Sequence, residues 1–340
     1  MRRNISFISS GLILGLMIFF AIRVNRSIPN PKLTKQDIYY SFVEGQRISA
    51  GNNPYERILT GNMLENKKYA TYFPLFYEIS FVSQKLGLSN FEDWITFWGR
   101  IFELFNYGIS ILIYLTLSRQ KLEWGGVFAS GFWLFNRWTL KMIETVNFDF
   151  IPIFFLLAAL VLFPRKKWLS LFLLSISLGF KQIAIIIAPL FVIWTYQLAE
   201  SNREKIRQSL LSIGILASIP LLSSIPFLFW NAQGLIKSVL FSATRLADNQ
   251  FSAQSLDVIW GLGGPAARIP MLVLILSIYW MAYKKIGNIY ILSMLIMAVF
   301  INFNSVLYDG YMTWFFALIP LLISDQYSRN SILPSGLDVT

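Results

Sequence analysis

Apolar runs recur along this chain from Ile5 to Ile323, and the polar interruptions between them are too short to hold a separate soluble domain. Several runs approach the roughly 20 residues that a helix needs to cross a hydrocarbon core of about 30 Å. With 55% hydrophobic and 14% charged residues over 340 positions and a mean hydropathy of +0.55, the composition lies outside the soluble globular range. The expectation is an all-helical, polytopic membrane protein forming a single integral membrane domain over residues 1–340. The chain has no Cys and no His, which removes disulfides, thiolate and imidazole ligands and a histidine general base. Any proton transfer must therefore use carboxylates, Lys or Tyr. The net charge of +11 fits cytoplasmic turns and anionic headgroups better than nucleic acid.

The basic turns order the spans. Arg2 and Arg3 hold the N-terminus inside, and Arg23-Val24-Asn25-Arg26 stands where a signal peptide would have small residues, so Ile5 to Ile22 reads as an uncleaved first span. Arg165-Lys166-Lys167, the group Arg203, Lys205 and Arg207, and Lys284-Lys285 mark the cytoplasmic side. Ser209 to Trp230 then exits, Ile269 to Tyr283 returns, Ile286 to Ile301 exits and Met312 to Ile323 returns, leaving residues 325–340 as a cytoplasmic tail. Trp168 to Leu198 starts and ends at basic turns, so it reads as a hairpin with Lys181 at its outer end. Between Tyr72 and Thr145 two solutions remain. Either one of the runs Tyr72 to Leu88 and Trp98 to Leu117 fails to cross, or Trp124 to Ile143, interrupted by Arg137 and Lys141, lies along the interface. Both give about ten transmembrane helices.

Three groups of polar loops then share the outer face: residues 23–71, residues 231–268 with Arg245 and Asp248-Asn249-Gln250, and the turn Asn302 to Tyr311 with Tyr308-Asp309-Gly310-Tyr311. Glu144, Asn147 and Asp149 fall on the same side. The first loop is about fifty residues, longer than a connection requires. In it Ile38, Tyr39, Phe42 and Val43 interleave with Gln36, Ser41 and Glu44 at helical spacing, which predicts a short interfacial helix ended by Gly51 and followed by a turn at Asn53-Pro54.

An acidic residue soon after the first span, Tyr-rich sequence, Gly51-Asn52-Asn53-Pro54-Tyr55 and then Tyr72-Phe73-Pro74 opening an apolar run together resemble glycosyltransferase family 87, also called the domain-of-unknown-function 2029 family. The likeness continues through Gly179-Phe180-Lys181, Asn249-Gln250 and Gln254-Ser255-Leu256, so it spans most of the chain. It departs where family members often have a second proline near Pro74, a Gly-Gln-x-Asn where this chain has Glu144-Thr145-Val146-Asn147, and a His near the last outer loop.

That family belongs to the GT-C superfamily. The resemblance implies a GT-C-like fold and a hexosyltransferase, with mannose the first sugar to consider. It would act on the outer face of a membrane, a bacterial plasma membrane by its short loops. A polyprenyl-phosphate-linked sugar would be the donor, a hydroxyl of a glycan or glycolipid the acceptor, and the anomeric centre would invert. Asp37 matches the position of the base; Lys181 and Arg245 are the candidates for the leaving phosphate, and no divalent metal or other cofactor is required. Tyr55, Glu144, Asn147, Asp149 and Asp309 complete the candidate substrate-binding set.

Plainer readings stand beside these. Asp37 suits a helix N-cap or a solvated acid, Lys181 a snorkelling cation, and Arg245 a headgroup contact. Glu144 and Asp149 suit the capping of a helix that begins near Phe148, and Tyr308, Tyr311 and Trp314 an aromatic belt. A transporter or flippase of a lipid-linked sugar is the competing function, and an inactive GT-C-like scaffold a third. Against the transporter, the acids concentrate in outer loops and no internal repeat is visible.

Overall fold

The computed structural model describes residues 2–29, 33–62, 68–244, 248–249, 255–262, 264–304 and 306–330. It is helical almost throughout, as a chain must be when its backbone polar groups have no water to pair with. The helices are α1 (Arg2–Ser27), α2 (Asp37–Ser49), α3 (Leu75–Lys85), α4 (Phe91–Ser118), α5 (Glu123–Phe135), α6 (Arg137–Glu144) and α7 (Phe150–Leu162). They continue with α8 (Lys167–Phe180), α9 (Ala188–Gln197), α10 (Asn202–Thr244), α11 (Leu256–Ile259), α12 (Ile269–Tyr283), α13 (Ile289–Phe303) and α14 (Asp309–Asn330). A two-residue parallel pair joins β1 (Asp248–Asn249) to β2 (Val306–Leu307).

Four helical segments are long and apolar enough to cross a membrane: Ile5–Ser27, Phe91–Ser118, Asn202–Phe241 and Ala266–Tyr283. Shorter apolar helices lie at Phe150–Leu162, Lys167–Phe180, Gln182–Gln197, Ile289–Phe303 and Asp309–Ile323. α4 is central, packing on α5, α7 and α14, while α8 joins α7 to α10, and α9 leads through α12 to α13 and α14. The rim helices turn large apolar side chains outward: Leu12, Leu16 and Phe20 on α1, Leu210 and Leu222 on α10, and Leu276 on α12 are all exposed. Apolar surface on this scale is out of place against water and suits contact with lipid.

Three tryptophans are sealed in the core, each with its indole N–H on a partner, as buried indoles require. Trp94 donates to Ser83 Oγ at 2.9 Å, Trp133 to Asn106 Oδ1 at 2.8 Å and Trp314 to Asp149 Oδ2 at 2.9 Å.

The ambiguous stretch resolves into a specific arrangement. The run Tyr72 to Leu88 forms only the 11-residue α3, about 16 Å long at 1.5 Å per residue and short of a full span. It pairs with α2, because Ser80, Ser83 and Gln84 on α3 are buried polar groups served from α2 and α4: Gln84 Nε2 donates to the Phe42 carbonyl at 2.9 Å. Gly45 lets the two helices close; a Cβ there would lie 2.6 Å from Gln84 Nε2 and Ser80 Oγ. Trp124 to Ile143 is not a single interfacial helix. α5 packs against α1 and α4, and Asn136 then breaks the chain, its side chain accepting from the N–H groups of Trp138 and Thr139 to start α6.

Two further boundaries differ from expectation. The helix Ser209 to Trp230 breaks at Asn231, whose backbone leaves helical geometry, but Asn231 Oδ1 accepts from Gly234 N at 2.9 Å and starts a second helical stretch to Thr244. The last helix runs on to Asn330, so the expected tail begins inside it; residues 331–340 lie outside the described residues.

Candidate functional site

The segment before α2 places Asp37 at the first helical position. Gln36 occupies the cap and its side chain makes no capping bond, so the N-cap reading of Asp37 is replaced by another partner: the Lys68 ammonium at 2.7 Å. The expected helix is present as α2, and Gly51 follows it in the left-handed conformation that a glycine adopts freely (φ +76°). Ser41 and Glu44 continue the Asp37 face at four and seven residues on, so the three line one side of a cleft about 390 Å³ in volume.

The opposite wall comes from the turn between α6 and α7. α6 ends with Asn147 N donating to the Met142 carbonyl at 2.9 Å and Val146 N to that of Ile143 at 3.0 Å, a helix stop that usually carries glycine. Here β-branched Val146 takes the left-handed conformation (φ +47°), a local strain of about 1–3 kcal/mol of the kind found where a side chain must be aimed. Asn147 faces the cleft and its Oδ1 accepts from Asp149 N at 3.0 Å.

The floor is the pair Lys181–Asp149. α8 ends at Phe180, and Lys181 takes an extended backbone at its C-cap. Its ammonium donates to Asp149 Oδ1 at 2.6 Å and Oδ2 at 2.8 Å, the aspartate being fully buried and the lysine nearly so. The rings of Tyr72, Phe148 and Tyr311 surround the same ammonium at 5.2–5.9 Å, a cation–π setting that offsets part of its desolvation. Asp149 therefore anchors a lysine and an indole rather than capping α7. The Tyr72 hydroxyl is pushed well above its ordinary range by burial, and then by the nearby Asp37, so it stays protonated as a potential donor.

The last side comes from the start of α14. Tyr308, Asp309, Gly310 and Tyr311 face the cleft, and Gly310 allows close approach, since a Cβ there would lie 3.4 Å from Asn147 Nδ2. The aromatic belt expected of Tyr308, Tyr311 and Trp314 is thus not what they form. Two line the cleft, and Trp314 is sealed beneath it because its N–H has a carboxylate to satisfy.

The cleft brings together Asp37, Asn147, Lys181 and Asp309 from positions far apart in sequence. Glu144 stands at its edge, at the end of α6 rather than the start of a helix, holding the cleft residue Lys141 at 3.0 Å. Tyr55 is not in the cleft. It is sealed between Tyr77 and Phe227 with its hydroxyl donating to the Tyr72 carbonyl at 2.8 Å, which makes it a packing residue. Arg245 lies outside the described residues.

Lys68, Lys141 and Tyr72 are cleft residues that sequence reasoning did not single out as ligands. Lys141 had a visible signal, a cation interrupting an apolar run, whereas Lys68 had none. Glu44, the innermost of Asp37, Ser41 and Glu44 on the α2 side of the cleft, is buried, with Arg47 Nε at 3.3 Å and Arg57 Nη1 at 3.6 Å. Desolvation pushes its carboxyl up to about 7, against the opposing pull of the two arginines. Among the described residues no cluster of three or more acidic side chains is placed to hold a metal ion. In comparisons with known proteins, no family model matches the chain and no curated protein matches it.

Proposed function

We propose that this chain is a polytopic membrane hexosyltransferase that moves a sugar, mannose first among candidates, from a polyprenyl phosphate to an acceptor hydroxyl. The observation that carries this reading is the cleft in which a half-exposed carboxylate, Asp37, faces an amide, tyrosines and lysine ammonium groups. In the reaction the acceptor oxygen attacks the anomeric carbon from the face opposite the phosphate. Its proton passes to the Asp37 carboxylate as the bond from anomeric carbon to phosphate oxygen breaks, inverting the centre and releasing a polyprenyl phosphate. The developing phosphate charge needs fixed cations. Lys181 has two of its three N–H bonds on Asp149, leaving one for the cleft, and Lys68 and Lys141 face the same space. Arg245 remains a candidate from the second outer loop.

In this reading the chain passes ten times, through α1, α4, α5, α7, α8, the apolar stretch Gln182–Gln197 that contains α9, α10 to Trp230, α12, α13 and α14, while α3, whose Ser80, Ser83 and Gln84 are buried, stays on the cleft side; every cleft residue then falls at one end of the bundle. Arg119, Lys121, Arg165, Arg203 and Lys284 then fall at the other end. By the positive-inside rule the cleft faces outward. Such a placement at helix ends favours chemistry on a lipid headgroup over transport, which uses charges near the bilayer midplane.

The test is transfer by the purified, detergent-solubilised protein given radiolabelled polyprenyl-phosphate hexoses and a membrane extract as acceptor, wild type against Asp37→Asn. Transfer that disappears in the variant supports both the activity and its base. Equal transfer by both removes Asp37 from that role, and no transfer from any donor by folded protein favours a transporter or scaffold.

A further inference from the structure

Three lysines line the cleft, and each ammonium rests on a carboxylate: Lys68 on Asp37 at 2.7 Å, Lys141 on Glu144 at 3.0 Å and Lys181 on Asp149 at 2.6 Å. The pairs differ in how firmly they are held. Lys181 is buried, bonded to both aspartate oxygens and ringed by aromatics, so parting it would strand a buried charge. Among its contacts, Lys68 meets one oxygen of Asp37 and the ring of Tyr40, 5.6 Å from its ammonium, with 37% of its side chain and 53% of the aspartate's exposed. A pair so open to water has little net strength and exchanges partners readily.

The backbone beneath Lys68 is fixed, however. Its carbonyl accepts from Arg57 Nη1 at 3.2 Å and it holds the left-handed conformation (φ +53°). A flexible four-carbon arm on an anchored base can swing its charge within the cleft without moving the chain.

We propose that Lys68 is an exchangeable phosphate ligand. In the empty cleft it neutralises Asp37, and a phosphate group entering the cleft takes the ammonium, leaving the Asp37 carboxylate uncovered. This rests on reading the cleft as the site of a phosphate-bearing lipid. Its consequence is order: the group that accepts a proton becomes available only after the phosphate has arrived.

The experiment measures binding of two probes, farnesyl phosphate and inorganic phosphate, to the full-length protein in detergent by calorimetry. Wild type, Lys68→Met, Lys68→Arg, Asp37→Asn and the double variant Asp37→Asn/Lys68→Met are compared, with circular dichroism confirming the fold. Loss of Lys68 should weaken farnesyl phosphate binding on the order of tenfold, the effect of one charge-assisted contact, and Lys68→Arg should retain most of it. Asp37→Asn should tighten binding several-fold by releasing the lysine, and the double variant should show none of that gain over Lys68→Met alone. The same pattern with inorganic phosphate would mean that the phosphate is recognised by itself, and its restriction to farnesyl phosphate that the lipid is needed to place it; either supports the exchange. A gain from Asp37→Asn that survives without Lys68 overturns the proposal, because removing a negative charge anywhere nearby would do the same. So does unchanged binding in Lys68→Met, or no binding of either probe by the wild type. Exchange observed in a protein that transfers no sugar would leave the proposal standing and remove the transferase.

Discussion

Glu44 converts burial into a measurable dependence on pH. Its side chain is 1% exposed, and desolvation outweighs Arg47 and Arg57 to move its carboxyl from 4.5 to about 7. Between those values the folded protein keeps a proton that the unfolded chain has lost. The stability tied to this group is therefore fully present below the unfolded value and is lost as pH rises through about 7. The difference between about 7 and 4.5, taken at about 1.36 kcal/mol per unit, sets the span at about 3 kcal/mol. Glu44→Gln keeps the shape and carries no titrating charge. Denaturation of the solubilised protein, followed by tryptophan fluorescence from about pH 4.5 to about pH 8.5, would be compared between variant and wild type so that all other groups cancel. The variant should gain on the wild type by about 3 kcal/mol across that range, most of it below about pH 7. A difference that stays constant with pH would refute the reasoning. A variant that loses ground as pH rises would show that the arginine pairs, not burial, govern Glu44.

Lys181→Met, which strands the buried Asp149, should cost about 3–5 kcal/mol of stability, while Asp149→Leu/Lys181→Met should recover much of that loss in the same denaturation assay. Gly45→Ala should destabilise by about 1–3 kcal/mol, because the added methyl meets Ser80, Gln84 and the Phe81 backbone; a neutral result would mean that α2 and α3 are not packed this closely. Tyr55→Phe should lower stability by about 1 kcal/mol through loss of its bond to the Tyr72 carbonyl. It should leave the KM of any sugar donor unchanged, and a raised KM would return Tyr55 to the site.

Much of the architecture was legible because lipid-length apolar runs and basic turns are properties of contiguous sequence. α2 and its stop at Gly51 follow from local periodicity and turn chemistry, and the division of Trp168 to Leu198 into α8 and α9 was signalled by Lys181 and Pro189 between basic turns. The run Tyr72 to Leu88 misled, since hydropathy does not separate a span from a short helix whose polar face is buried; Ser80, Ser83 and Gln84 were the signal that α3 needed polar neighbours. In the site, Asp37 and Lys181 were visible as charges in unusual places. Their partners were not, because Lys68 and Asp149 lie 31 and 32 residues away in the chain, and no local pattern records which ammonium meets which carboxylate. Trp314 illustrates the same limit: an aromatic near a helix end reads as an anchor until a carboxylate 165 residues away claims its N–H.

The cleft draws its walls from Asp37 near one end of the chain and Tyr311 near the other. During synthesis Asp37 emerges long before α14 exists to close the space around it. Until then Asp149 lacks the Trp314 indole, its second partner beside Lys181, and the polar hollow has no wall from Tyr308 to Tyr311. The cleft is complete only once α14, the last of the described helices, is in place. Truncations upstream of Trp314 would be expected to engage quality control as a class, however well their earlier helices insert.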